Sequence, residues 1–329
     1  MSARGIARRM WLLAIQPSHP LSDHALTRLT KEDADVEDPR WSPDGTKLAC
    51  VLRSAEGSHV CVIPSNGGTL VELTAGENWD REPAWSPDGS TIAFFRNTTE
   101  HCAGVWSVAA GGGETASAID SLARDEVEDL TWSPDGRKFA FGRSQSGFMN
   151  IWVLDRRDAR VSQLTCCGGR WPEWSPNGDR IAYTRVTYSS GSSNADIWIA
   201  PAAGGDETRI TIASAGDDSP RWSPSGREIA FTRQRGTGSD IFVVSVAAAE
   251  ERQLVANAEQ PEWSPDGARV TYVSGGHIWM VPAAAGNAIQ LTNDPLSDGS
   301  PRWSPSSERI AFVRRQALGQ GVICVMTID

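Results

Sequence analysis

The sequence predicts an all-β fold, a seven-bladed β-propeller of four-stranded blades, on three observations. Trp-Ser-Pro recurs seven times, at Trp41, Trp85, Trp132, Trp174, Trp222, Trp263 and Trp303. The spacings are 44, 47, 42, 48, 41 and 40 residues, which is the period of a propeller blade. Tryptophan usage is inverted, with 14 Trp beside 3 Tyr and 8 Phe, as expected when so large a side chain has one repeated structural job.

Each repeat unit reads as four strands in order. The first ends at Trp-Ser, and a type I turn follows with Pro at its second position and Gly at its fourth, as in Ser86-Pro87-Asp88-Gly89. Strand two is apolar on both faces (Ile92-Ala93-Phe94, Ile181-Ala182-Tyr183, Ile229-Ala230-Phe231), so its sheet is covered on both sides, with the small Ala where a neighbouring blade presses close. Strand three is of the Asp-Ile-Trp-Val type, and Cys61 and Cys324 fill its aromatic slot in the first and last units as buried hydrophobes. A Gly-rich turn leads to a half-exposed strand four such as Val71-Glu72-Leu73-Thr74. The seventh unit stops after strand three at Ile323-Cys324-Val325-Met326, while Ala25-Leu26-Thr27-Arg28-Leu29-Thr30 is a strand four with no blade before it. The N-terminal strand is therefore expected to complete the last blade and remove its open edge. Residues 1–21 are expected to be a poorly ordered tail and 22–329 a single propeller.

These Trp-Ser-Pro-Asp-Gly repeats resemble the TolB-type, WD-repeat-like β-propeller superfamily, which includes the propeller domains of prolyl oligopeptidase-like enzymes. The resemblance covers nearly the whole chain and implies the fold; its members include binding scaffolds, lids and lyases, so it leaves function open. The chain departs from the motif at Asn177, Ser225 and Ser306-Ser307, where the loss of the turn glycine puts the last turn in doubt.

Composition narrows the function. With 40% hydrophobic and 22% charged residues the chain reads as globular, and no run of about 18 apolar residues exists to cross a membrane. Lys+Arg 31 against Asp+Glu 41 leaves a net charge of −10, which argues against nucleic-acid binding. Arg4, Arg8 and Arg9 precede an apolar run, Met10 to Ile15, that is short for an export signal, so a cytoplasmic chain is favoured with export as the alternative.

A residue type present in most units has a structural job, whereas one confined to a single unit is a candidate for binding. Three residues before each Trp, near the channel mouth, stand Asp38, Glu82, Asp129, Trp171, Ser219, Gln260 and Ser300, an acidic arc on units 1 to 3. That arc could hold Ca²⁺ or a cationic ligand, and the resemblance implies a channel ion in some relatives; no other cofactor is expected. An Arg ends strand two in six units, Arg53, Arg96, Arg143, Arg185, Arg233 and Arg314, either in radial ion pairs with the acidic ring or as an anion-binding ring. Trp79 and Trp171 fill no repeat slot and lie beside charges in mouth loops, where they suit a sugar or peptide anchor, or else plug the channel. The polar stretch from Val186 to Ala195, which carries Tyr188, is the longest connection of its kind. Cys166-Cys167 is a free thiol pair or, alternatively, a redox or soft-metal site.

No Gly-x-Ser-x-Gly elbow is present, which argues against a serine peptidase. A metal-dependent site resembling that of the oligogalacturonate lyases would need His59, His101 and His277, but His59 and His277 share a strand-start slot with Asp196 and Asp240. The expected function is a non-catalytic, monomeric scaffold binding a protein, peptide or saccharide through Trp79, Trp171, Asp38, Glu82, Asp129, Arg96, Arg143, Arg185, Arg233, Tyr188 and His101. The alternative is a polysaccharide lyase or hydrolase at the channel mouth using Tyr188, His101 or a carboxylate as acid/base.

Overall fold

A computed structural model describes residues 25–97, 103–119, 126–145, 147–189, 192–317 and 319–328, and every regular element among them is a β-strand. The first strands of the units are Asp35–Trp41, Trp79–Trp85, Val127–Trp132, Arg170–Trp174, Asp217–Trp222, Glu259–Trp263 and Asp298–Trp303. Each starts an antiparallel run of four strands, and units 1 and 2 join into one sheet through a single parallel bridge between Ser58 and Trp79. The 28 described strands fall into seven such groups, compatible with seven blades. Each first strand touches that of the next unit, and the seventh touches the first, so these strands line a closed ring.

The N-terminal strand Leu26–Arg28 pairs antiparallel with Gly321–Thr327, as expected for ring closure. The Leu29 N–H donates to the Ile323 carbonyl at 2.8 Å, and the Thr30 hydroxyl accepts the Ile323 N–H at 3.0 Å. Thr74, Thr165, Thr211 and Thr292 accept the N–H of Val60, Ile151, Ile197 and Ile278 in the same way, at 2.9 to 3.0 Å. Thr30 is thus a displaced copy of a repeated threonine, and it belongs to the seventh unit.

The core lies between neighbouring sheets. Seven apolar clusters occur, one at each interface, and the cluster joining unit 7 to unit 1 packs Ile323 and Val325 against Leu48, Cys50 and Ile63. Ala49, Ala93, Ala140, Ala182, Ala230 and Ala311 are fully buried, because at that point two sheets approach as closely as a methyl group allows. Cys50, Cys61 and Cys324 are buried as expected, and burial pushes the Cys61 thiol up to about 12 and that of Cys324 to about 11.

In five of the seven units the repeated tryptophan bonds one unit to the next. The indole N–H of Trp85 donates to the Arg40 carbonyl at 2.9 Å, that of Trp132 to Ala84 at 2.9 Å, and that of Trp222 to Glu173 at 3.1 Å. Trp41 reaches back across the closure to the Arg302 carbonyl at 2.9 Å, so the same bond seals the ring. Phenylalanine would fill the volume but lacks this donor. Ser and Asp of the motif hold the turn: Ser86 Oγ donates to Asp88 Oδ1 at 2.6 Å and accepts the Thr91 N–H at 3.0 Å. The Ser86 hydroxyl, with the N–H and hydroxyl of Ser90, draws the Asp88 carboxyl down to about 2. The last turn survives its missing glycine because Ser307 itself adopts φ 62°, in the slot where Gly267 has φ 71°.

Candidate functional site

The seven residues three positions before each Trp share one backbone feature that their identities conceal. Asp38, Glu82, Asp129, Trp171, Ser219, Gln260 and Ser300 all have φ between 53° and 60°, a left-handed conformation uncommon for non-glycine residues. The strand register slips there, as between Glu128 and Thr131, so each first strand carries a bulge at the channel. The bulge lets a side chain reach the next unit. Glu82 accepts the Asp129 N–H, Asp129 accepts the Trp171 N–H, and Gln260 Oε1 accepts the Ser300 N–H at 2.8 Å. The acidic arc therefore ties units together as well as charging the mouth. Burial raises the Glu82 carboxyl, and burial followed by the charges of Glu82 and Glu128 pushes Asp129 up to about 7. Asp38 pairs with Arg40 at 2.9 Å.

Arg53, Arg96, Arg185, Arg233 and Arg314, at the end of strand two, pair with acids outside this arc, a correction to the expected radial pairs. Arg96 and Arg233 each grip the first Asp of their own unit in a two-pronged pair, Arg96 with Asp80 and Arg233 with Asp217, at 2.7 and 2.8 Å. Arg185 bonds Glu207 and the Tyr183 hydroxyl. Their guanidinium groups also lie over strand-three aromatics, Arg143 at 4.8 Å from Trp152, Arg185 at 4.0 Å from Trp198 and Arg233 at 4.4 Å from Phe242. The register places the facing Asp two residues ahead of the arc, Asp80 opposite Arg96 and Asp217 opposite Arg233.

The two unexplained tryptophans stand apart. Trp79, 42% exposed, begins the first strand of unit 2 opposite Asn97, whereas Trp171 is half-buried in the arc itself. Trp171 borders a cleft of about 850 Å³ between units 3 and 4, whose wall includes Phe148, Met149, Cys166, Cys167 and Thr187. Phe148 is 67% exposed, an unusual cost for a large apolar ring. The Cys166 and Cys167 sulfurs lie 3.3 Å apart, and the neighbouring thiol raises the Cys166 value. The polar stretch of unit 4 is a β-hairpin rather than a loop: strands Arg180–Ser189 and Ser192–Pro201 stay in register to its end, with Tyr188 opposite Ser193. His101 lies outside the described residues.

The two described histidines of the grouping that a lyase-like site would need are held apart from one another. His59 is held by Glu72 at 2.9 Å and the Gly76 carbonyl at 2.8 Å in unit 1, while His277 faces Ser274 in unit 6. Among the described residues no three His, Cys, Asp or Glu side chains converge as a metal site would require.

Sequence reasoning missed a second ring, one residue before each Trp: Arg40, Ala84, Thr131, Glu173, Arg221, Glu262 and Arg302. Glu262 spans Arg302 at 3.2 Å and Arg221 at 3.6 Å. Burial pushes Glu173 up to about 8 despite Arg221, and burial together with Arg40 brings Arg302 down to about 10. The channel thus carries carboxyls on units 1, 2, 3, 4 and 6 and guanidiniums on units 1, 5 and 7. The signal was available, since this position changes charge from unit to unit beside an invariant Trp.

Comparison with known proteins agrees with this architecture. Residues 170–329 match the family model of the TolB beta propeller domain. The chain is 28% identical over 213 residues to the Tol-Pal system protein TolB of Francisella tularensis, covering 60% of this chain and 48% of that protein. It therefore spans about half the length of the curated relatives it matches. Among solved structures, oligogalacturonate lyase from Vibrio parahaemolyticus superposes with TM-score 0.77 at 12% identity over 92% of this chain and 93% of that one. TolB from Acinetobacter baumannii superposes with TM-score 0.56 at 18% identity over 86% and 79%. At such identities the structural likenesses show the fold. No helix among the described residues is long and apolar enough to cross a membrane. Repeat motif, strand topology and the match of residues 170–329 together support a TolB-like β-propeller for this chain.

Proposed function

We propose that the chain is a non-catalytic binding scaffold that takes a protein or peptide segment at its loop-bearing face. One observation carries this reading: the cleft of about 850 Å³ between units 3 and 4, where Trp171, Met149 and the exposed Phe148 line a wall rimmed by Arg170 and Asp218. Its volume is that of a ligand site, and apolar anchors ringed by charges suit a peptide side chain between polar backbone groups. At the mouth Arg96, Arg185 and Arg233 are paired with Asp or Glu, and Glu82 and Gln260 accept backbone N–H groups, whereas this cleft offers open apolar contact. The superfamily's use in the Tol-Pal system, where the Francisella relative takes its name, is in keeping with a protein partner.

The test is selection from a displayed random-peptide library against the full chain. Enriched peptides should lose about tenfold or more in affinity to Trp171→Ala and Phe148→Ala, and keep it with Trp79→Ala. Peptides indifferent to Trp171 and Phe148 would move the site elsewhere. Turnover of polygalacturonate by the purified chain would replace the scaffold with the lyase reading.

A further inference from the structure

We propose that the channel holds a small oxyanion, of the carboxylate or phosphate class, between the first strands of units 5, 6 and 7. A cavity of about 130 Å³ lies there, walled by Ser219, Arg221, Gln260, Ser300 and Arg302 with Pro261 and Pro301. Its polar lining is two guanidiniums, two hydroxyls and an amide, and no carboxylate is among the described lining residues. Such a donor set matches the oxygens of a small anion, which arginine grips in a two-pronged fashion.

Within ion-pair distance, guanidiniums here outnumber carboxylates among the described residues. Arg40, Arg221 and Arg302 face one another along the channel, and two carboxylates serve them: Asp38 is 2.9 Å from Arg40, and Glu262 is shared between Arg302 and Arg221. Of the other nearby acids, Glu173 spends one oxygen on the Trp222 N–H at 2.8 Å, and burial favours the neutral forms of Glu173, Glu82 and Asp129. The Nε atoms of Arg302 and Arg40 are buried and have no hydrogen-bond partner. Buried guanidinium nitrogens are costly to leave unpaired, and one anion would both satisfy donors and offset the excess positive charge. The cavity is well below the size of drug-like ligand sites, so the ligand is a few atoms across or is the terminal carboxylate of a longer molecule.

Calorimetric titration of the full chain tests this directly, with sodium phosphate, sodium acetate, and a short peptide as free acid and as amide, all at constant ionic strength set by chloride. Saturable binding of phosphate or acetate supports a free-anion site. Binding of the free-acid peptide and not the amide assigns the site to a chain terminus. In either case Arg302→Met and the charge-retaining Arg302→Lys should weaken binding about tenfold or more. Absence of saturable heat with every probe overturns the proposal on the wild-type protein alone, whether or not the variants fold. Binding unchanged in both variants overturns it equally.

Discussion

Ring closure by the N-terminal strand can be isolated at one atom. Thr30→Val keeps the shape of the side chain and removes the hydroxyl that accepts the Ile323 N–H at 3.0 Å. Ile323 is fully buried and Thr30 is 7% exposed, so water cannot replace the lost acceptor. Leaving a buried N–H unsatisfied costs about 1–3 kcal/mol. Thr74→Val in unit 1 is the internal standard, because Thr74 accepts the Val60 N–H at 2.9 Å in an equivalent place and Val60 is likewise buried. Urea unfolding should therefore show both variants with lowered midpoints and an unchanged m value, with losses that agree within about 0.5 kcal/mol. Deleting residues 1–30 should cost more, since it also exposes the Leu29 site, which alone contributes about 1.5–3 kcal/mol, and leaves Gly321–Thr327 as an open edge. If Thr30→Val matches the wild type while Thr74→Val loses 1 kcal/mol or more, the closing strand does not make this bond and the reasoning fails.

The tryptophan bonds and the channel acids make two further predictions. Trp132→Phe should destabilise the chain by about 0.5–1.5 kcal/mol more than Trp174→Phe, because the Trp132 N–H donates to Ala84 at 2.9 Å whereas the buried Trp174 Nε1 has no partner; equal losses in denaturant titrations would show that the indole serves by volume alone. Glu173, raised to about 8, and Asp129, raised to about 7, keep protons that the unfolded chain releases in the ordinary carboxylate range. The folded state then binds more protons than the unfolded one, so these groups make stability fall as pH rises between about 5 and 8. Glu173→Gln should flatten that slope and gain on the wild type more at pH 8 than at pH 5, and an unchanged slope in paired unfolding series would contradict the assignment.

What was legible in the sequence was what the repeat states locally. The turn is written in five consecutive residues, the close approach of sheets in one Ala in six of the seven units, and the closure in a Leu-Thr pair displaced to the N-terminus. Each signal depends on neighbours in the chain, and each structural counterpart follows. The bulge was not legible, because its left-handed residue is Asp, Glu, Trp, Ser or Gln rather than the glycine that usually announces such a backbone. The slip carries the register one residue further, so that Arg96 and Arg233 face Asp80 and Asp217, two positions ahead of the arc. The ring formed by Arg40, Glu173, Arg221, Glu262 and Arg302 was missed as well. That ring nevertheless leaves a trace. A position facing a neighbouring sheet must meet the same neighbour in every unit and so stays constant, as Ala and Trp do. A position facing a shared channel meets whatever the other six units present, so its charge is set for the ring as a whole, and variation at a fixed place in a strict repeat marks where a chain of identical parts becomes chemically particular.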